Sequence, residues 1–253
     1  MNRLVRLWII LASVIAPLTN ASSLGVWPIN PRIDAPSSST LIWVKNNNKN
    51  DPVTLQARVF LWSQIDNEDK FDAQDELVIS PPIIEVKPDA QQIFRVMNRK
   101  GAIVNITSEK SYRILIDEVP KEENSQSPQL RFQMRYSLPL FVGLPASIAT
   151  KPMPERLKAM ATDLRYRIIK EPSPAIEIIN QGTTHARLSN LNIHNEALEN
   201  KIFQLNKGLF GYVLPNSVRR WPLDKEQLAA ITASNIKINF EQEHEELDLV
   251  AAQ

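Results

Sequence analysis

Leu130, Phe132 and Met134 alternate with Arg131, Gln133 and Arg135 in the stretch Leu130-Arg131-Phe132-Gln133-Met134-Arg135-Tyr136, which runs on into Ser137-Leu138-Pro139-Leu140-Phe141. On a strand of period two this spacing sends three large apolar side chains to one face and the polar ones to the other. The chemistry open to such a row is recognition. Either the row is the core face of a half-buried strand, or it is lent to another protein through pairing along a sheet edge.

Residue types that do covalent or metal chemistry form no comparable pattern. His185, His194 and His244 lie in polar surroundings, none at a metal-ligand spacing from another on one element, and read as surface histidines. There is no Gly-x-Ser-x-Gly, and the absence of cysteine removes thiolate ligands and thiol nucleophiles. The acidic tail Glu241-Gln242-Glu243-His244-Glu245-Glu246-Leu247-Asp248 reads as a solvated terminal strand. No catalytic residue, metal site or cofactor is therefore expected, and paired glycosidase carboxylates have no support beyond composition.

The elements that must position the row follow from the rest of the chain. Its 253 residues suffice for one large domain or two of immunoglobulin size. A net charge of +1 argues against nucleic acid as the principal partner. With 18 prolines but only 6 glycines, the chain has many strand terminators and few of the backbone positions that phosphate-cradling loops need. Residues 1–21 combine a basic start, an apolar run from Leu7 to Ala16 and a small residue, Ala21, as an export signal does. The run is well short of the roughly 20 residues a membrane-spanning helix needs, so no membrane insertion of the mature chain is expected.

After that segment, Leu24 to Asp34 is extended and broken by prolines, with Arg32 inside it. Ser39 to Lys45 and Val53 to Trp62 read as two strands of a hairpin around the polar loop Asn46 to Asp51. Short strands follow at Leu77 to Ser80, Ile83 to Val86, Gln91 to Val96 and Lys110 to Pro120, then the polar loop Lys121 to Gln129 leads into the alternating stretch. Many short strands with almost no helical period predict an all-β fold of two immunoglobulin-like β-sandwich domains. The first is placed at 22–145 with its last strand at about 129–141, a linker at 146–162 with a helical turn or two from Glu155 to Ala161, and the second domain at 163–253.

An exported pair of such sandwiches, the strand Tyr112-Arg113-Ile114-Leu115-Ile116-Asp117-Glu118-Val119-Pro120 and the Leu130/Phe132/Met134 row ending in Leu140-Phe141 together resemble the PapD-like periplasmic chaperones of chaperone–usher pilus assembly. Ser137 to Leu144, Gly208 to Pro215 and Arg219 to Pro222 resemble the archaic, Csu-type branch. The resemblance implies an L-shaped or boomerang arrangement, a periplasmic location, pilus (fimbrial) subunits and an outer-membrane usher as partners, and no enzymatic activity. It implies donor-strand complementation, with Leu130, Phe132 and Met134 filling the groove of a subunit that lacks its last strand, and it leaves open a self-capped dimer of the free chain. It also implies a cleft where two basic residues hold the subunit's C-terminal carboxylate. Arg32 matches the first. Pro139 stands where a lysine is usual, leaving Arg95 or Arg135 to supply the second charge. Glu118 matches an acidic residue of an interdomain ion pair, for which Arg219 or Arg220 would be the partner. The rival from another class is a structural pilus subunit or adhesin, also exported and immunoglobulin-like. A complete first domain carrying the alternating strand inside it favours the chaperone.

Overall fold

A computed structural model describes residues 24–104, 106–120, 133–195, 201–231 and 236–252. The expected export signal, Leu130 and Phe132 lie outside the described residues. The first half holds β1 (Leu24–Trp27), β2 (Arg32–Ile33), β3 (Ser39–Asn46), β4 (Val53–Ile65), β5 (Glu68–Asp72), β6 (Leu77–Ser80), β7 (Ile83–Val86), β8 (Gln91–Asn98), β9 (Lys110–Val119) and β10 (Arg135–Val142). Then come helices α1 (Ala146–Ala149) and α2 (Met153–Ala161). The second half holds β11 (Leu164–Ile169), β12 (Ala175–Asn180), β13 (Ala186–Asn195), β14 (Lys201–Gln204), β15 (Leu209–Val213), β16 (Ser217–Pro222), helix α3 (Lys225–Ile231), β17 (Ile236–Gln242) and β18 (Glu245–Ala251).

In the first domain a sheet of order β1-β3-β8-β6 packs on one of order β2-β10-β9-β4-β5, with β7 paired to β4. Period-two burial produces the core between them: Ile42 and Val44 of β3 and Phe94 and Val96 of β8 face Leu55 and Ala57 of β4, Ile114 and Ile116 of β9, and Leu138 and Leu140 of β10. The hairpin expected between β3 and β4 does not form. β3 pairs with β1 and β8, whereas β4 pairs with β9, β5 and β7. Asn46 turns the chain from one sheet to the other, its buried carboxamide donating to the Asp51 and Val86 carbonyls at 2.8 and 3.1 Å. Two sticky alternating segments can pair or can stack face to face, and their sequence is the same in both cases.

The second core gathers Ile176, Ile178, Leu188, Ile193, Ile238 and Phe240. Its strands run in the order β14-β13-β17-β18-β11-β12-β16, with β15 beside β13. Of the stretch expected to be a linker, α2 packs Leu157 and Ala161 into this second core. The architecture is the two-sandwich, mostly β fold predicted from strand spacing.

Candidate functional site

β10 has one satisfied edge and one open edge. It pairs antiparallel with β9 along its whole length, from Arg135↔Asp117 to Val142↔Lys110. On its other side, parallel β2 covers only Phe141 and Val142. The backbone hydrogen bonds fix which peptide groups look each way. The Phe141 and Gly143 N–H groups donate outward, to the Pro31 and Ile33 carbonyls, while the Met134 carbonyl faces β9 and accepts from the Glu118 N–H at 3.1 Å. By strand alternation the peptide groups of Gln133, Arg135, Ser137 and Pro139 face away from β9. Among the described residues no strand covers them, which makes a template for strand addition.

The side chains alternate along the same strand. Tyr136, Leu138, Leu140 and Val142 belong to the first core or pack on it. Met134 continues their row but is 44% exposed. The Tyr136 hydroxyl reaches the carbonyl of Leu24, the first described residue of the opposing sheet's β1. The apolar row thus outruns the core it serves. The core-face reading of the alternating stretch holds from Tyr136 onward, and Met134 presents an uncovered apolar face.

Arg135, Ser137, Pro139 and Phe141 point to the opposite face, which the second domain adjoins. There Phe141 is buried with Trp62 and Leu214, beside Tyr212. The His185 ring stacks on Phe141 at 3.4 Å between centroids. Arg32 donates to Asp34 through two nitrogens, at 2.9 and 3.2 Å, and to the fully buried Glu109 side chain at 2.9 Å. The other Glu109 oxygen accepts the His185 backbone N–H at 3.1 Å and lies 2.6 Å from His185 Nδ1. Burial pushes the Glu109 carboxyl up, but His185 and Arg32 outweigh it and hold the group below its ordinary value. Gln64 fastens the same junction, donating to the Tyr212 carbonyl and accepting the Leu214 N–H.

Several expected residues are placed differently. Among the described residues Glu118 makes no ion pair with the second domain. It faces inward at the end of β9, one carboxyl oxygen buried without a hydrogen-bond partner, and desolvation raises its pKa. Arg219 and Arg220 instead grip the β4–β5 turn at Asn67, and Arg220 also shares buried Glu177 with Arg167. The acid that joins the domains is Glu109, and its partner His185 is buried at the junction rather than lying on the surface. Nothing local marks either one, because 76 residues separate them.

Arg32 and Arg95 are not brought together. Arg95 lies on β8 of the other sheet, exposed between inward-facing Phe94 and Val96. Arg135 is taken up by Asp117, which also accepts from Arg58. The cation standing beside Pro139 is Arg113, its cross-strand neighbour on β9. Its guanidinium lies 3.9 Å from the Trp62 ring centroid and near Phe71. Its Nε is buried without a hydrogen-bond partner, and among the described residues it forms no ion pair. Desolvation lowers its pKa. Asp69 acts on it only through its field, so this partly buried guanidinium, in no ion pair among the described residues, can receive an anion. The sequence alternation places Arg113 on one face of its strand, but only the β9–β10 register sets it beside Pro139.

Residues 32–149 match the model of the pili and flagellar-assembly chaperone family, PapD N-terminal domain. The first domain is thus of the PapD N-terminal type. It is similar over 92% of its length, and 100% of the other chain, to a chain of the CsuC–CsuE chaperone–tip subunit pre-assembly complex from archaic chaperone–usher Csu pili of Acinetobacter baumannii, with 28% identity and a TM-score of 0.68. This agrees with the archaic branch expected from 137–144, 208–215 and 219–222. The Escherichia coli chaperone DraB (16% identity, 91% and 97% of the two chains, TM-score 0.59) shares the fold. So does a chain of the Salmonella enterica SafA pilin–SafB chaperone complex (16%, 92% and 98%, 0.62). Comparison of the sequence with curated proteins gives no match. Among the described residues no helix is long and apolar enough to cross a membrane.

Proposed function

We propose that this chain is a PapD-like chaperone that acts in the periplasm, holding pilus subunits by donor-strand complementation and delivering them to an outer-membrane usher. The observation that carries the reading is the open edge of β10 joined to an apolar row that continues past the core. Peptide groups from Gln133 to Ser137 supply the ladder for a subunit that lacks a strand, and Leu130, Phe132 and Met134 supply the side chains for its groove. Burying three such side chains contributes on the order of 5–9 kcal/mol before ordering costs. That suits a tight complex whose release needs no nucleotide. For the subunit's C-terminal carboxylate, Arg113 takes the place proposed from sequence for Arg95. Arg32, already bound to Asp34 and Glu109, then contributes mainly its field. The usher step rests on the family alone.

The test is co-purification from a periplasmic extract with co-expressed pilus subunits, comparing wild type with Phe132→Asp/Met134→Asp and identifying bound proteins by mass spectrometry. A small exported subunit held by wild type and lost from a folded variant is the expected result. Unfolding of the variant would return the row to the core. A folded wild type that captures no subunit would favour a structural pilus subunit or adhesin.

A further inference from the structure

Pro139 is the only residue of β10 without a backbone N–H. Its own sheet does not need that group. The Pro139↔Arg113 pair is the kind whose peptide groups face away from each other, because the Phe141 and Gly143 N–H groups point to β2 and alternation gives Pro139 the same direction. The missing donor therefore falls on the open edge. Counting along that edge, N–H groups are available at Gln133, Arg135 and Ser137, none is available at Pro139, and at Phe141 the position is already taken by Pro31.

Register is the problem this solves. A one-residue slip of a strand added to this edge would turn every side chain to the wrong face, so the alternating plugs forbid it. A two-residue slip preserves the faces and is not forbidden by alternation. From these positions we infer that Pro139 is the register stop of the edge: the last free outward donor is the Ser137 N–H, and a client strand advancing further finds only the Pro139 carbonyl, one hydrogen bond short, before the junction. Arg113, directly across from Pro139, then lies where the paired strand runs out. This inference rests on the strand-donation reading, and adds a positioning role for a proline that makes no side-chain contact of its own in that role.

The chain contains no cysteine, so a single reporter, Ser137→Cys, can be introduced without competing thiols. The probe is the pilus subunit that co-purifies with wild type, carrying single cysteines at successive positions of the strand that faces β10. With Pro139 in place, disulfide formation should concentrate at one subunit position. In Pro139→Ala the position two residues away should rise roughly three- to tenfold, as expected for one restored backbone hydrogen bond. Pro139→Thr, a better strand former, serves the same purpose should the alanine variant fold poorly, and circular dichroism checks both. An unchanged single position in the folded variants would overturn the register stop while leaving strand donation intact. No disulfide at any position with Pro139 present would overturn strand donation at this edge, and the stop with it.

Discussion

Arg113→Met separates binding from stability more sharply than any other change in the cleft. Methionine keeps the length and apolar packing of the arginine stem over Trp62 and removes only the guanidinium. In the free chain two effects oppose each other. Losing the cation–π contact costs about 0.5–2 kcal/mol, and relieving the desolvation of a partly buried guanidinium that only the field of Asp69 offsets returns a similar amount. The melting curve should therefore move by no more than about 1 kcal/mol. In the complex a charge-assisted hydrogen bond to a carboxylate is lost, worth about 1.5–3 kcal/mol. That corresponds to a roughly 10- to 150-fold weaker complex. Titrating purified chain against a subunit, once with its native C-terminus and once with a C-terminal amide, measures the term directly. Wild type should discriminate between the two subunits, and Arg113→Met should not. A destabilisation above about 3 kcal/mol would make Arg113 a structural cation, and equal affinity of folded variant and wild type would remove it from the carboxylate site.

Glu109→Ala should cost about 3–5 kcal/mol in urea unfolding, since it strands the His185 N–H and part of Arg32 in a buried junction; a loss below about 1 kcal/mol would refute the bridging role. Because the folded-state pKa of Glu109 lies below the ordinary glutamate value of 4.5, its stabilisation should be complete above that value and fade as pH falls through the folded pKa. Acid titration of Glu109→Gln beside wild type reads this as converging stabilities at low pH; parallel curves would exclude it. Gly143→Ala should destabilise by about 2 kcal/mol, because φ is +83° and an added Cβ would lie 2.7 Å from Ile106; an unshifted thermal midpoint would show that the turn after β10 relaxes freely.

The local pattern of this chain already determined its class. Period-two alternation in short, proline-bounded segments has few packed outcomes, and a double sandwich is the one that buries so many half-apolar strands. The same alternation marked the face that Met134 shares with Leu138 and Leu140. It did not reveal the sheet assignment of β3 and β4, since the sequence of a strand does not encode its neighbour. Nor did it reveal where the core face becomes a free face, because that depends on how much of the row, from Leu138 back to Met134, the opposing sheet covers. The junction was equally hidden: Glu109 and His185 are an ordinary acid and an ordinary histidine until packing buries them against Phe141. Pro139 was legible as a departure from a pattern, but its meaning was not. Only pairing decided that its missing N–H falls on the open edge and that Arg113 stands beside it, because direction and register are properties of two strands and never of one.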